Sequence, residues 1–200
     1  MVVRGRGTGT RMSRMDRRAQ IIEVATTLIS ANGYWSVSLH DIGVECGITD
    51  AAVLHHFGSK ENLLLAVMEH RDEADRSALA EALDVPLEQL YESIPALALA
   101  DVCTAMVGRN ARQPEIVRLY TVLSAESLQP DHPVHGYFRE RDQRAVRTFA
   151  SARVPGGGTP RLARLVLATM DGLQLRWLRD PDGVDLVGEW EAAAAAIIPR

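Results

Sequence analysis

Two hundred residues with a hydrophobic share of 46% and a net charge of −4 suffice for one sizeable core, or for a small module joined to a medium one. No uncharged apolar run approaches the ~20 residues needed to cross a bilayer, because Asp101 interrupts the best candidate, Ile94 to Val107. Residues 1–18 lack the apolar centre of a signal peptide, so a soluble, cytoplasmic protein with no membrane role is expected.

Charge is unevenly placed. Arg4, Arg6, Arg11, Arg14, Arg17 and Arg18 against Asp16 make residues 1–18 +5, which leaves −9 for the rest. A basic arm on an acidic body is compatible with nucleic acid at one end only. The single lysine is Lys60. Cys46 and Cys103 fall in different expected helices and suggest no disulfide framework; both read as small core residues, with a redox-sensor role for Cys103 as the alternative.

Residues 1–12 form a Gly/Arg/Thr-rich basic arm, expected to be disordered when free. It either adds to DNA binding, reaching an adjacent minor groove, or is an idle tail, with Met12 or Met15 as the true start. A first helix is predicted from Ser13, with Ile21, Ile22, Ala25, Leu28 and Ile29 on one face and Gly33 as its stop. Ser38 and Asp41 give a capping-box start to a short second helix, with Leu39, Ile42, Gly43 and Cys46 on its inner face and Gly47 at its end. Thr49 caps a third helix to about Phe57, and Lys60 opens a long fourth one. Helices at about 87–93, 95–111, 114–129, 134–152, 160–180 and 184–198 follow, several beginning near Pro86, Pro95, Pro114, Pro133 and Pro160. No stretch shows the period-two alternation of strands. The fold class is therefore all-α, with a loop at 154–159 that lacks the Gly-Lys-Ser/Thr of a phosphate-binding loop.

A tight Gly turn between the second and third helices describes a helix-turn-helix. Its third helix would place Ile48, Val53 and Phe57 inward, and Asp50, Ala51, Leu54 and His55 outward. The spaced residues Gly33-Tyr34, Ser38, Asp41-Ile42, Gly47-Ile48-Thr49, His55-His56-Phe57 and Lys60-Glu61-Asn62-Leu63 resemble the N-terminal signature of the TetR family of transcriptional regulators over about residues 14–68. The resemblance implies a DNA-binding domain at 13–68, with its motif at about 38–57, and a helical effector-binding and dimerisation domain at 69–200. It also implies that Thr49, Asp50, Ala51, Ala52 and His55 face bases, while Ser38, His40, His56 and Lys60 meet phosphates. For the two histidines, capping or packing is the alternative. The sequence departs from the family at Leu54, where a tyrosine is usual, at Asp50, whose charge phosphate repels, and at Gly43, where alanine is usual.

The implied partners are double-stranded DNA with an inverted repeat, a second copy held through about 160–198, and an unknown small-molecule effector. Leu162, Leu165, Val166, Thr169, Leu173, Trp177, Trp190, Ile197 and Ile198 supply apolar surface to that interface. Leu99, Cys103, Met106, Tyr120, Leu123, Glu126, Tyr137, Met170 and Gln174 are candidates for lining an effector pocket. Each could equally be core, and Glu126 could instead pair with an arginine such as Arg118 or Arg139. His132 and His135 flank Pro133 without further ligands nearby, so no metal is expected. No cofactor, and no nucleophile, base and oxyanion arrangement, is discernible, so no enzymatic role is expected. The reading is a repressor released from its operator by an effector; the alternative is a ligand-binding or protein-interaction module that no longer controls an operator.

Overall fold

In the computed structural model, which describes residues 12–199, ten α-helices succeed one another. Apart from Met12, the expected basic arm lies outside the described residues. The N-terminal elements are α1 (Arg14–Asn32), α2 (Leu39–Cys46), α3 (Asp50–Phe57) and α4 (Lys60–Ala82). Local chemistry starts each of them. Side-chain oxygens of Ser13, Ser38, Thr49 and Ser59 accept the orphan amides of Asp16, Asp41, Ala52 and Asn62, at 3.1–3.2 Å. Asp41 returns the bond from the Ser38 N–H at 2.8 Å and completes the capping box. Gly47, in the left-handed region at φ 67°, ends α2 and makes the tight turn.

Gly43 has a different reason to be glycine. A Cβ there would stand 2.9 Å from the Ile48 carbonyl oxygen and 3.2 Å from the Asp50 nitrogen, so α2 can lie this close to the turn only without a side chain. The helix-propensity cost of about 1 kcal/mol is accepted for a close backbone approach.

The second half comprises α5 (Leu90–Ser93), α6 (Leu99–Asn110), α7 (Pro114–Glu126), α8 (His135–Ser151), α9 (Pro160–Trp177) and α10 (Leu186–Ile197). Two expected helices are corrected here. The segment expected as helix at 87–93 is a 3-10 turn at Leu87–Gln89 followed by α5, and a second 3-10 turn covers Ile94–Ala96. The next helix begins at Leu99, not Pro95. Leu97 and Ala98 are held extended by pairing with Arg153, whose N–H donates to the Leu97 carbonyl at 2.8 Å and whose carbonyl accepts from the Leu99 N–H at 3.0 Å.

Two apolar cores result. The first joins Ile21, Ile29, Ile42, Val53, Phe57, Leu63 and Leu64 to Leu119, Leu123, Val134 and Phe138, so α1 packs against α7 and the helix-turn-helix shares its core with the second half. The second gathers Leu99, Cys103, Val107, Phe149, Val166, Met170, Trp177 and Trp190 between α6, α8, α9 and α10. The indole N–H of Trp190 donates to Thr104 Oγ1 at 3.0 Å and fixes α10 on α6. The boundary expected at 68/69 falls inside α4, which runs without a break from one core to the other. Among the described residues, no helix is long and apolar enough to cross a membrane.

Candidate nucleic-acid interface and regulatory cavity

Helix α3 buries Val53 and Phe57 and leaves Asp50, Ala51, Leu54 and His55 exposed, with Thr49 at its start also exposed and Ala52 half-buried. Its outer face carries short side chains, as insertion into a major groove requires. Ser38 and His40 lie exposed at the start of α2. Asp50 Oδ1 accepts the Ala51 N–H at 2.9 Å, so its charge is partly spent on its own helix start.

Three of these residues are already engaged. Lys60 donates to the Tyr34 carbonyl at 2.7 Å and lies 4.0 Å from the centre of the Tyr34 ring, and its partial burial lowers its pKa. His56 has its pKa lowered by burial, then by His55, Arg14, Arg18 and Arg17, so a phosphate would meet a neutral ring at neutral pH. Ser38 accepts the Asp41 N–H and donates to the Asp41 carboxylate at 2.6 Å, which holds that carboxyl below its usual range.

Arg17 and Arg18 were missed as part of this surface. Arg17 donates to the Cys46 carbonyl at 3.0 Å, at the end of α2, and Arg18 to the His56 carbonyl at 3.1 Å, near the end of α3, with its guanidinium 4.2 Å from the Phe57 ring centre. Each places a cation at the negative end of a helix dipole. The signal was the i, i+3, i+4 spacing of Arg14, Arg17 and Arg18 on α1.

Behind the helix-turn-helix, two adjoining cavities of about 560 and 460 Å³ share Asp75, Met106, Arg109, Arg141 and Ala145 as walls. Met106 lines both, and Tyr120, Met170 and Gln174 line the smaller one, between α7, α8 and α9. Five expected lining residues lie elsewhere. Leu99 and Cys103 are buried in the second core, and Leu123 in the first. Tyr137 packs edge-on to Phe138 with its hydroxyl buried. Burial pushes the Cys103 thiol up to about 12, which leaves it unreactive as a redox sensor.

Glu126 is the largest correction. It faces the helix-turn-helix, not a cavity, and meets neither Arg118 nor Arg139. Its Oε2 accepts the Tyr34 N–H at 2.9 Å and lies 3.6 Å from His132 Nε2. A Cβ on Gly33, at φ 80°, would collide with Glu126 Oε1, so this glycine both ends α1 and admits the carboxylate. His132 is buried edge-on to Tyr34 and Trp35, accepts the Val134 N–H at 3.3 Å, and has its pKa lowered by burial against the pull of Glu126.

The cavity walls are charged, which the periodicity of apolar residues did not reveal. Arg109 pairs with Asp75 at 3.4 Å and donates to its carbonyl and to Asn110 Oδ1. Asn110 donates to Gln174 Oε1 at 2.9 Å, and Gln174 to the Met170 carbonyl at 3.1 Å, so one polar chain ties α4, α6 and α9. Tyr120 donates to Asp72 at 3.0 Å, and Arg144 stands 3.6 Å from the same carboxylate. Burial raises the Asp75 and Asp171 pKa values, against Arg109 and Arg141 respectively.

Of the residues expected at a two-fold interface, Val166, Trp177, Trp190 and Ile198 are buried within the chain's own core. Leu165, also expected there, lies on the outward side of α9 with Ala168, Gly172 and Leu175, the two leucines 49% and 41% exposed.

A capped helix-turn-helix with a small-residue outer face, built onto an all-helical body with a cavity, is an architecture that DNA-binding transcriptional regulators use. Residues 21–67 match the family described as bacterial regulatory proteins, tetR family. The HTH-type transcriptional regulator TtgR of Pseudomonas putida is 28% identical over 193 residues, covering 91% of this chain and 90% of that protein. Among solved structures, a transcriptional regulator from Saccharomonospora viridis in complex with choline superposes with a TM-score of 0.69 at 20% identity, covering 93% of this chain and 100% of that one. NalD of Pseudomonas aeruginosa, the secondary repressor of the MexAB-OprM multidrug efflux pump, gives 0.64 at 26% identity, covering 94% and 99%. The helix-turn-helix thus matches the tetR-family model, and the similarity to TtgR extends over most of the chain.

Proposed function

We propose that this regulator is a cytoplasmic homodimeric repressor. It binds an inverted-repeat DNA site through residues 38–60, and a small molecule in the cavity beside α4 releases it. The observation that carries this reading is the continuity of α4: Lys60 at its first turn borders the recognition helix, and Asp72 and Asp75 further along it form cavity walls. Two relatives support it by their descriptions, one a repressor and one holding choline. The two-fold contact runs through α9 and α10, over Leu165, Ala168, Gly172 and Leu175, because groove-reading dimers need two recognition helices about 34–36 Å apart.

A ligand shifts DNA binding only through unequal affinity for the DNA-ready and released conformations, and couplings of ~1–3 kcal/mol correspond to about 5–150-fold. The test is paired: genomic fragments are selected on the protein, then DNA affinity is measured with and without ligand, and ligand affinity with and without DNA. The two factors should be equal. Equal affinities in both pairs would remove the ligand as effector. The exposed Leu54 and Asp50 on the recognition face favour a second reading, in which no operator is controlled. Absence of salt-dependent, sequence-selective binding would establish that one.

A further inference from the structure

Resting on the effector reading above, we propose that the smaller cavity takes a zwitterionic small molecule, its anionic group against Arg141 and its cationic group against Asp171. In the walls of the smaller cavity Arg109 is engaged with Asp75, Asp72 beside it is engaged with the Tyr120 hydroxyl and Arg144, and Asp142 is exposed at the rim. Arg141 is engaged by none of these carboxylates. Its guanidinium lies 4.6 Å from the Tyr120 ring centre and, among the described residues, makes no hydrogen bond and no ion pair within 4 Å. It borders both cavities. Its five N–H donors, on a permanent charge at the cavity wall, therefore have no acceptor among the described residues.

Asp171 is the complementary case. It lines the same cavity from α9, at its solvent-exposed mouth, and likewise has no hydrogen bond or ion pair among the described residues. Arg141 and Asp171 influence each other's charge, yet no nitrogen–oxygen pair of theirs lies within 4 Å. The space also has apolar walls, including Met106, Ile116, Phe138 and Met170. An anion alone would satisfy Arg141 but meet Asp171 and, at the rim, Asp142. A cation alone would satisfy Asp171 but face Arg141. A molecule carrying both charges on an apolar body satisfies both and leaves the cavity's net charge unchanged. About 460 Å³ is within the usual range for a small-molecule site.

The test uses the whole chain and three probes on one phenyl frame: L-phenylalanine with both charges, 3-phenylpropionate with only the anion, and 2-phenylethylamine with only the cation. Titration calorimetry should show the zwitterion binding at least about tenfold more tightly than either partner. Arg141→Met should reduce phenylalanine to the level of the amine, and Asp171→Asn to the level of the propionate, with circular dichroism confirming the fold. Should Arg141→Met fail to fold, Arg141→Lys keeps the charge, removes the planar fork, and should still weaken the zwitterion several-fold. Equal or tighter binding by a single-charge probe overturns the proposal. So does no saturable binding of phenylalanine up to roughly 10 mM, or a preference untouched by the substitutions. Operator affinity, read separately by fluorescence anisotropy, separates the two levels. Charge-selective binding that leaves DNA affinity unchanged refutes the effector role alone, whereas release by an uncharged apolar compound with no zwitterion preference refutes the zwitterion alone.

Discussion

Removing the Glu126 carboxylate should loosen the joint between the helix-turn-helix and α7. Its oxygen accepts the Tyr34 N–H at 2.9 Å, and a charge-assisted bond of this kind is worth about 1.5–3 kcal/mol. The side chain is 23% exposed, so the lower part of that range applies to Glu126→Ala, about 1.5–2 kcal/mol. For a chain of this length that is a fall in Tm of about 3–8 °C. Glu126→Gln keeps an oxygen acceptor and loses only the charge, so about 0.5–1 kcal/mol is expected. Thermal and urea unfolding measure the totals, and amide hydrogen exchange at Tyr34 locates them. A wild-type Tm together with unchanged Tyr34 exchange in Glu126→Ala would refute the reasoning.

Lys60→Ala should weaken binding to all DNA sequences and lower the salt slope by about one unit, although the ammonium must give up or share its bond to the Tyr34 carbonyl; an unchanged slope in a salt titration would exclude the phosphate contact. Gly43→Ala should destabilise by about 1–2 kcal/mol in urea unfolding despite alanine's better helix propensity, because its Cβ would meet the Ile48 carbonyl; a gain in stability would show that α2 shifts freely. His132 is expected to titrate below 6.5 by NMR of its ring. Because the unfolded chain then takes up this proton first, its contribution to stability is complete above about pH 7 and declines as pH falls through 6.5 toward the folded value. A ring pKa at or above 6.5 would contradict the burial argument.

What was legible in the sequence was local. Ser13, Ser38, Thr49 and Gly47 act within three or four residues: α1, α2 and α3 begin directly after Ser13, Ser38 and Thr49, and α2 ends before Gly47. Glu126 was misread because its partner Tyr34 is 92 positions away and no periodicity relates them. The start of α6 was misplaced for the same reason: Pro95 offers a local helix start, but pairing with Arg153 keeps Leu97 and Ala98 extended. Leu99, Cys103 and Leu123 have the apolar character of a pocket wall and of a core alike, and only packing separates the two. The convergence of Arg109, Asp75, Arg141 and Asp171 depends on how α4, α6, α8 and α9 cross, which no local pattern encodes.

Helix α4 also converts distance into gain. Its 23 residues span about 34 Å at 1.5 Å per residue. If Asp75 in the cavity wall acts as the fulcrum, about 22 Å from Lys60, a tilt of about 5° carries Lys60 and the neighbouring α3 through roughly 2 Å, and in the proposed two-fold dimer the separation of the recognition helices changes by up to about twice that. Against a groove repeat of about 34–36 Å, such a change takes both recognition helices out of register at once. A ligand need not melt or unfold anything near DNA. It needs only to favour one inclination of a rod over another, and the rod's length supplies the amplification.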